Sequence, residues 1–164
     1  MSVTVREATI DDLDAIRNVA EASWYAAYGG IFDPARIAEA LTEYYDPELL
    51  EVAIEHDDIA FYIAEADDEL VGFASTEQTW ADEVELHTIY VHPDQWGDGI
   101  GSTLLGRVLN WARERGVDRV VCGVLEENTV GIGFFDTVGF DRGRKADTEV
   151  AGILKSEYEF ERNL

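Results

Sequence analysis

Cations are scarce in this chain. Lys and Arg total 12 against 35 Asp and Glu, so the formal net charge is −23. Lys145 and Lys155 are the only lysines; the other ten cations are arginines. Without a basic stripe to displace counterions from phosphates, nucleic acid is excluded as a partner. Docking on an anionic membrane is excluded on the same ground. Cysteine is nearly absent, and Cys122 alone cannot make an internal disulfide framework. It lies in the apolar run 119–124 and reads as a small buried hydrophobe, with no His near it in sequence to activate it as a nucleophile. No apolar run approaches the roughly 18 residues of a membrane helix. The N-terminus has no leader character, so a soluble cytoplasmic protein is expected. His56, His87 and His92 stand in no spacing that suits a metal, and none is expected.

What is present describes a folded domain. Apolar residues make up 46%, and 4 Trp, 7 Tyr and 7 Phe are too many aromatics for a disordered acidic tail. The acids are spread along the chain rather than gathered in a block. The length fits a single domain over residues 1–164. Its surface must be anionic and self-repelling at low salt. At about 1 M salt the Debye length falls to roughly 3 Å and that repulsion is screened. Few lysines and many carboxylates resemble the composition of proteins from salt-accumulating microbes.

Periodicity divides the chain into elements. Val3 to Arg6 alternates as a strand, and a helix follows from Asp12 to Ala27 with Leu13, Ile16, Ala20 and Trp24 on one stripe. Pro34 suits the first turn of a second helix to Tyr45, and Pro47 that of a short third helix to Glu55. Ile59 to Glu65 and Leu70 to Glu77 read as a hairpin turning at 67–69. Val84 to Val91 is a strand stopped by Pro93. A glycine-rich turn, 97–101, leads into an amphipathic helix that Gly116 closes. Val117 to Val124 is a strand, Asn128 to Thr137 a short helix, and 140–144 and 154–162 two last strands. The order is that of an α/β (α+β) domain with a mixed sheet flanked by helices.

The stretch from Glu85 to Gly101 carries the chemistry. A strand runs through a glycine turn straight into a helix, whose first turn offers unpaired N–H groups and partial positive charge. Such a turn holds phosphate without a cationic side chain, which matters in a chain this poor in cations. A Walker A loop would need Lys before Ser or Thr, but Gly101 is followed directly by Ser102 and Thr103. A Rossmann fingerprint would lie in the first strand-helix unit, whereas this loop comes after three earlier strands.

Val91-His-Pro93 followed by Gly97-Asp-Gly-Ile-Gly101 resembles motif A of the GNAT superfamily, the acetyl-CoA-dependent N-acetyltransferases. Asn128-Thr-Val-Gly-Ile-Gly-Phe-Phe-Asp-Thr-Val-Gly-Phe140 resembles its motif B, Asn-x-x-Ala-x-x-Phe-Tyr-x-x-x-Gly-Phe. The N-terminal segments 5–14 and 23–30 are also similar to family N-termini. The resemblance implies a mostly antiparallel sheet of about seven strands with about four helices, in which strands 4 and 5 splay apart to admit the pantetheine arm of acetyl-CoA. By position, Ile89, Tyr90 and Val91 would offer main-chain hydrogen bonds to that arm. Gly97, Asp98, Gly99, Ile100, Gly101 and Ser102 would hold the pyrophosphate, and Asn128 the pantetheine side. Acetyl would pass directly to a primary amine, on a small molecule or a peptide. A backbone N–H near Val91 would stabilise the oxyanion, a contribution of roughly 3 kcal/mol. Dimers are common in the family, which admits a homodimer here.

Departures from the family pattern bear on the chemistry. Trp96 replaces the usual Arg or Gln, and Asp98 stands where Lys or Arg is common, so it should contribute only its N–H. The motif B Tyr, a frequent proton donor to the leaving thiolate, is Phe135, which leaves Tyr158 as a substitute. Glu85 matches the strand-4 base of the histone-acetyltransferase branch, and alternation puts His87 on its face unless a bulge intervenes. The strand-5 Glu of the ribosomal-protein branch is Gly123 here. Trp24, Tyr25 and Tyr28 would line the acceptor side. Arg107, Arg113, Arg142 and Arg144 are candidates for the 3′-phosphate. The competing reading is an acyl-CoA-binding regulatory module without turnover, supported by Phe135 alone.

Overall fold

The computed structural model describes residues 2–164. Strand β1 (Val3–Glu7) leads through a turn of 3₁₀ helix to α1 (Leu13–Tyr28), α2 (Pro34–Tyr44) and α3 (Pro47–Glu55). Then come β2 (Ile59–Ala66), β3 (Glu69–Trp80), β4 (Glu83–Val91), α4 (Ile100–Glu114), β5 (Arg119–Leu125), α5 (Thr129–Thr137), β6 (Asp141–Val150) and β7 (Ile153–Asn163). The third helix is formed, so there are five α-helices among the described residues rather than about four. Pro47 sits in its first turn, and Asp46 caps it by accepting from the Glu48 N–H at 2.8 Å.

The seven strands lie in the order β1-β2-β3-β4-β5-β7-β6. Every neighbouring pair is antiparallel except β4 and β5, which run parallel. Each face of the sheet is covered by its own core. Leu104, Val108 and Ala112 of α4 and Phe135 of α5 pack with Val84, Val120 and Phe160 on one face. Ile16 and Trp24 of α1, Ile37 of α2 and Leu50 of α3 pack with Ile63, Phe73 and Leu125 on the other. The β2–β3 hairpin turns at Asp67 and Asp68, both at positive φ (53° and 64°), the backbone of a tight hairpin turn. Arg6 fastens the first edge: its guanidinium bonds both Asp12 oxygens at 2.9 Å and also Glu65 of β2.

Strand β6 is longer than its sequence predicts, running to Val150 instead of stopping near Arg144. It is the outer strand and mostly solvent-facing, so it carries no apolar alternation to announce it. Its pairing with β7 is set by the turn at Ala151 and Gly152, both at positive φ.

Candidate active site

The parallel pair that positions the site is short. β4 and β5 match only at Glu83 with Arg119, Val84 with Val120 and Glu85 with Val121. Beyond Glu85 the strands part, and from Leu86 to Val91 the β5-facing edge of β4 has no strand partner. The His92 N–H bonds Val71 O at 2.8 Å, which makes Val91 and Gly72 a pair that does not exchange hydrogen bonds. By the same alternation Ile89 also directs its main-chain N–H and C=O into the gap. Tyr90 turns its own toward Phe73 of β3. Of the three residues expected to offer main-chain groups, Ile89 and Val91 are so placed. The Val91 carbonyl is already taken, by Ser23 Oγ at 3.1 Å and Trp96 Nε1 at 2.8 Å. Its N–H faces the gap.

A cavity of about 380 Å³ fills the gap, bounded by α1, β4, the glycine turn, β5 and α5. No Lys, Arg, Asp or Glu is among its lining residues. At one end is the start of α4. Gly97 and Gly99 take φ of 87° and 81°, which glycine adopts without strain. Gly99 is the N-cap and has no side chain with which to cap. The first helical bond runs from the Thr103 N–H to Gly99 O at 3.1 Å, so the amides of Ile100, Gly101 and Ser102 have no partner within the helix. Helices α3 and α5 are capped by Asp46 and Asn128, whereas α1, α2 and α4 have no side-chain cap, and the first turn of α4 opens onto the cavity. The Asp98 side chain is solvent-facing, and its N–H bonds Gln95 O at 3.3 Å within the loop. The arginines weighed for a 3′-phosphate lie off the lining: Arg142 pairs with Asp136, Arg144 with Glu159, and Arg107 covers the Tyr62 ring. A neutral cavity ending in free helix amides fits the phosphates and arm of acyl-CoA.

The other end of the gap is acidic. Glu85 stands at the apex, opposite Glu77 of β3. The pairing jumps from Ser75–Thr88 to Thr76–Leu86, so His87 is the extra residue of a β-bulge. Its ring nevertheless stays on the Glu85 side, with Nε2 2.9 Å from Glu77 Oε1 and Nδ1 3.9 Å from Glu85 Oε1. Glu157 of β7 was missed by sequence reasoning. A Cβ built on Gly123 would meet its Oε2 at 2.6 Å, so its carboxylate occupies the space where a side chain of β5 would begin. Partial burial, with the charges of Glu159 and Glu85, raises the Glu157 carboxyl above the usual range. Burial, with the charges of Glu157 and Glu85, lifts the Cys122 thiol to about 12, as suits a buried, inert cysteine.

Hydroxyl donors gather on the α1 side. Asn128 caps α5 through the Gly131 N–H at 3.0 Å, and its Nδ2 lies 3.4 Å from the Tyr28 hydroxyl. That hydroxyl is also 3.4 Å from the Tyr90 hydroxyl. Burial pushes both phenols above their ordinary values, so both are held protonated. Tyr28 and Tyr90 line the cavity, whereas Tyr158 is absent from the lining and packs under Arg142, 4.9 Å from its ring. Phe135 lies between Phe140 and Phe160 with no proton to give.

Comparison with known proteins agrees with this geometry. Residues 13–140 match the model of the acetyltransferase (GNAT) family. The chain is 31% identical to a spermidine N(1)-acetyltransferase of Thermoplasma acidophilum, over 97% of this chain and 99% of that one. It is 28% identical to an uncharacterized N-acetyltransferase of Methanocaldococcus jannaschii, over 84% of this chain and 60% of that one. The fold superposes on the crystal structure of a PaiA N-acetyltransferase of Thermoplasma acidophilum in complex with coenzyme A, with a TM-score of 0.88, 28% identity and full coverage of both chains. A match spanning both sequence motifs, with the parted strands and the uncapped helix where those motifs require them, settles the affiliation: the chain belongs to the acetyltransferase (GNAT) family.

Proposed function

We propose that the protein transfers an acetyl group from acetyl-CoA to a small amine of the polyamine class, one that carries several positive charges. The observation that carries this reading is the polarity of the gap. One end offers uncapped helix amides and a neutral lining, and the other offers Glu85 with Glu77 and Glu157 beside it. Anionic phosphates belong at the first end and an ammonium at the second. The likeness to a spermidine acetyltransferase over nearly the whole chain supports a small amine over a peptide.

Acetyl-CoA supplies the acyl group as a thioester when bound. The amides of Ile100, Gly101 and Ser102 hold its pyrophosphate, and Ile89 and Asn128 orient the arm. The Val91 N–H faces the acyl oxygen and stabilises the charge that develops there. Glu85 meets the incoming ammonium, and the carboxylate end of the gap takes its proton directly or through a water. The departing thiolate is protonated by Tyr28, the neutral phenol of the α1 wall. No helix among the described residues is long and apolar enough to cross a membrane. The excess of carboxylates over lysines is the support for proposing a salt-rich cytoplasm.

The test is thiol release from acetyl-CoA with spermidine, a monoamine, an amino acid and a peptide N-terminus, with products weighed by mass spectrometry. A singly acetylated polyamine, formed with at least about 10-fold higher kcat/KM than the monoamine product, is expected, since one extra ion pair at a partly buried site exceeds about 1.4 kcal/mol. Preference for the peptide would overturn the acceptor assignment. Coenzyme binding without turnover on any amine would instead favour the regulatory module.

A further inference from the structure

Gly123 of β5 has no side chain, and the space beside it is filled by a carboxylate from another strand. In the β5–β7 ladder Gly123 faces Glu159 and Leu125 faces Glu157, so Glu157 reaches back diagonally by one rung to lie over Gly123. Gly123 lines the cavity two residues beyond Val121, the last residue of β5 to pair with β4. Glu85 is the last residue of β4 in that pairing. The Glu157 and Glu85 carboxylates therefore flank the apex of the gap, one from each diverging wall.

We propose that Glu157 and Glu85 act as one proton-accepting pair, with Glu157 the member that carries the proton. The proposal rests on the amine-acetylating reading and names the base within it. An arriving ammonium sits between the carboxylates and gives one proton to Glu157, which frees the nitrogen lone pair. The N–C bond then forms and the C–S bond breaks, the thiolate leaving with its electron pair. The nitrogen's second proton replaces the one that Tyr28 gives the thiolate, and Glu157 releases its proton to solvent, so charge and atoms balance. Two carboxylates at one site hold one proton more firmly than either alone, which makes the pair a better match for an amine.

The charged groups around Glu157 leave it free for this task. Glu159 on its own strand is bonded by Arg144 of β6 at 3.1 Å. Lys155, two residues away, is bonded to Glu127 at 2.8 Å. Opposite Glu157 on β6 is Ala146, which carries no charge. From β5 comes the buried, protonated Cys122 thiol, and from β4 Glu85, which His87 approaches at 3.9 Å while bonding Glu77. Among the described residues no cation bonds Glu157 directly.

The experiment combines kinetics with titration. Glu157→Gln, Glu85→Gln and the double variant are assayed for thiol release with spermidine across pH. Their carboxyls are followed by carbon NMR after glutamate labelling. For a pair acting as one unit, each single variant loses about 100-fold in kcat, and the double loses little more. The acid limb of kcat/KM moves to lower pH in Glu157→Gln, because the carboxyl that is held above the usual range has been removed. In Glu85→Gln the Glu157 carboxyl titrates at lower pH than in wild type. Acetyl-CoA affinity should be unchanged in Glu157→Gln. Gly123→Ala provides a second route, since its Cβ pushes the Glu157 carboxylate aside without altering it. Wild-type kcat in Glu157→Gln, or a Glu157 titration indifferent to Glu85→Gln, would overturn the pair. A wild type without turnover on any amine would sink the acetyl-transfer reading, and the titration would still decide whether the carboxyls are coupled.

Discussion

Asp98 is the sharpest probe of how an anionic protein binds an anionic cosubstrate. Its side chain points to solvent beside amides that we assign to a pyrophosphate. Asp98 precedes Ile100 by two residues, so its charge stands roughly 7 Å from the bound phosphates, taking about 3.8 Å per Cα step. In water a pair of unit charges at that distance interacts by about 0.6 kcal/mol. Screening at about 0.1 M salt leaves roughly half of this, and at about 1 M roughly a tenth. Asp98→Lys changes the charge by two units against a pyrophosphate of about two charges. The variant should therefore gain about 1.2 kcal/mol at 0.1 M, near 8-fold in affinity, but only about 0.2 kcal/mol at 1 M. Wild type should bind acetyl-CoA equally well or better as KCl rises, because salt screens repulsion and breaks no cation–phosphate pair. Calorimetric titration at both salt concentrations measures all four values. A 10-fold fall in wild-type affinity between them would mean that side-chain cations hold the phosphates, and the amide cradle would be wrong. An Asp98→Lys gain that survives at 1 M would refute the screened-charge arithmetic.

Other expectations follow from single contacts. Tyr28→Phe should lower kcat by about 10-fold or more with acetyl-CoA affinity kept, whereas Tyr158→Phe should stay within about twofold, as stopped-flow thiol detection would show. Asp12 is held below the usual carboxylate range by its hydrogen bonds from Arg6, so its contribution to stability exists above the unfolded carboxyl value and vanishes as pH falls through the folded one. With Arg6 partly solvent-exposed, Asp12→Asn should cost about 1–2 kcal/mol at pH 7 in urea melts, and the difference should close in acid. Cys122 should resist thiol reagents at pH 8 in the native state and react once the chain is unfolded; rapid native labelling would contradict its burial.

The parts of the site that were legible in sequence are those made by neighbours along the chain. Gly97 and Gly99, the helix after them and Asn128 at the head of α5 form local geometry, so the short motifs that carry the family resemblance could point to this end of the fold. Three features needed the register between strands. The His87 bulge exists because β3 and β4 fall out of step between Thr88 and Leu86, and nothing in Glu85 to Tyr90 marks the extra residue. The division of main-chain groups between Val91, facing the gap, and Tyr90, facing β3, depends on which pairs exchange hydrogen bonds. Glu157 sits 34 residues from Gly123 and reaches it only because β7 inserts between β5 and β6. One signal for it was present: a glycine in an apolar strand marks a place where something else comes close.

The charge that first excluded partners is organised within the site. The cavity wall itself is neutral, and its two ends differ because different physical devices serve them. In the proposed reading phosphates are met by backbone amides, which need no lysine and hold no cation–phosphate pair for salt to break. In the same reading an ammonium is met by carboxylates, of which this chain has a surplus. Those exposed on the surface are screened at about 1 M salt, whereas Glu157, partly removed from water, keeps more of its interaction with Glu85. High salt should thus weaken long-range attraction of polyamines to the surface while leaving contacts at the apex largely intact. In kinetic terms, rising KCl should raise KM for the polyamine more than it changes kcat. A fall in kcat as steep as the rise in KM would mean that the apex carboxylates are as open to screening as the surface ones.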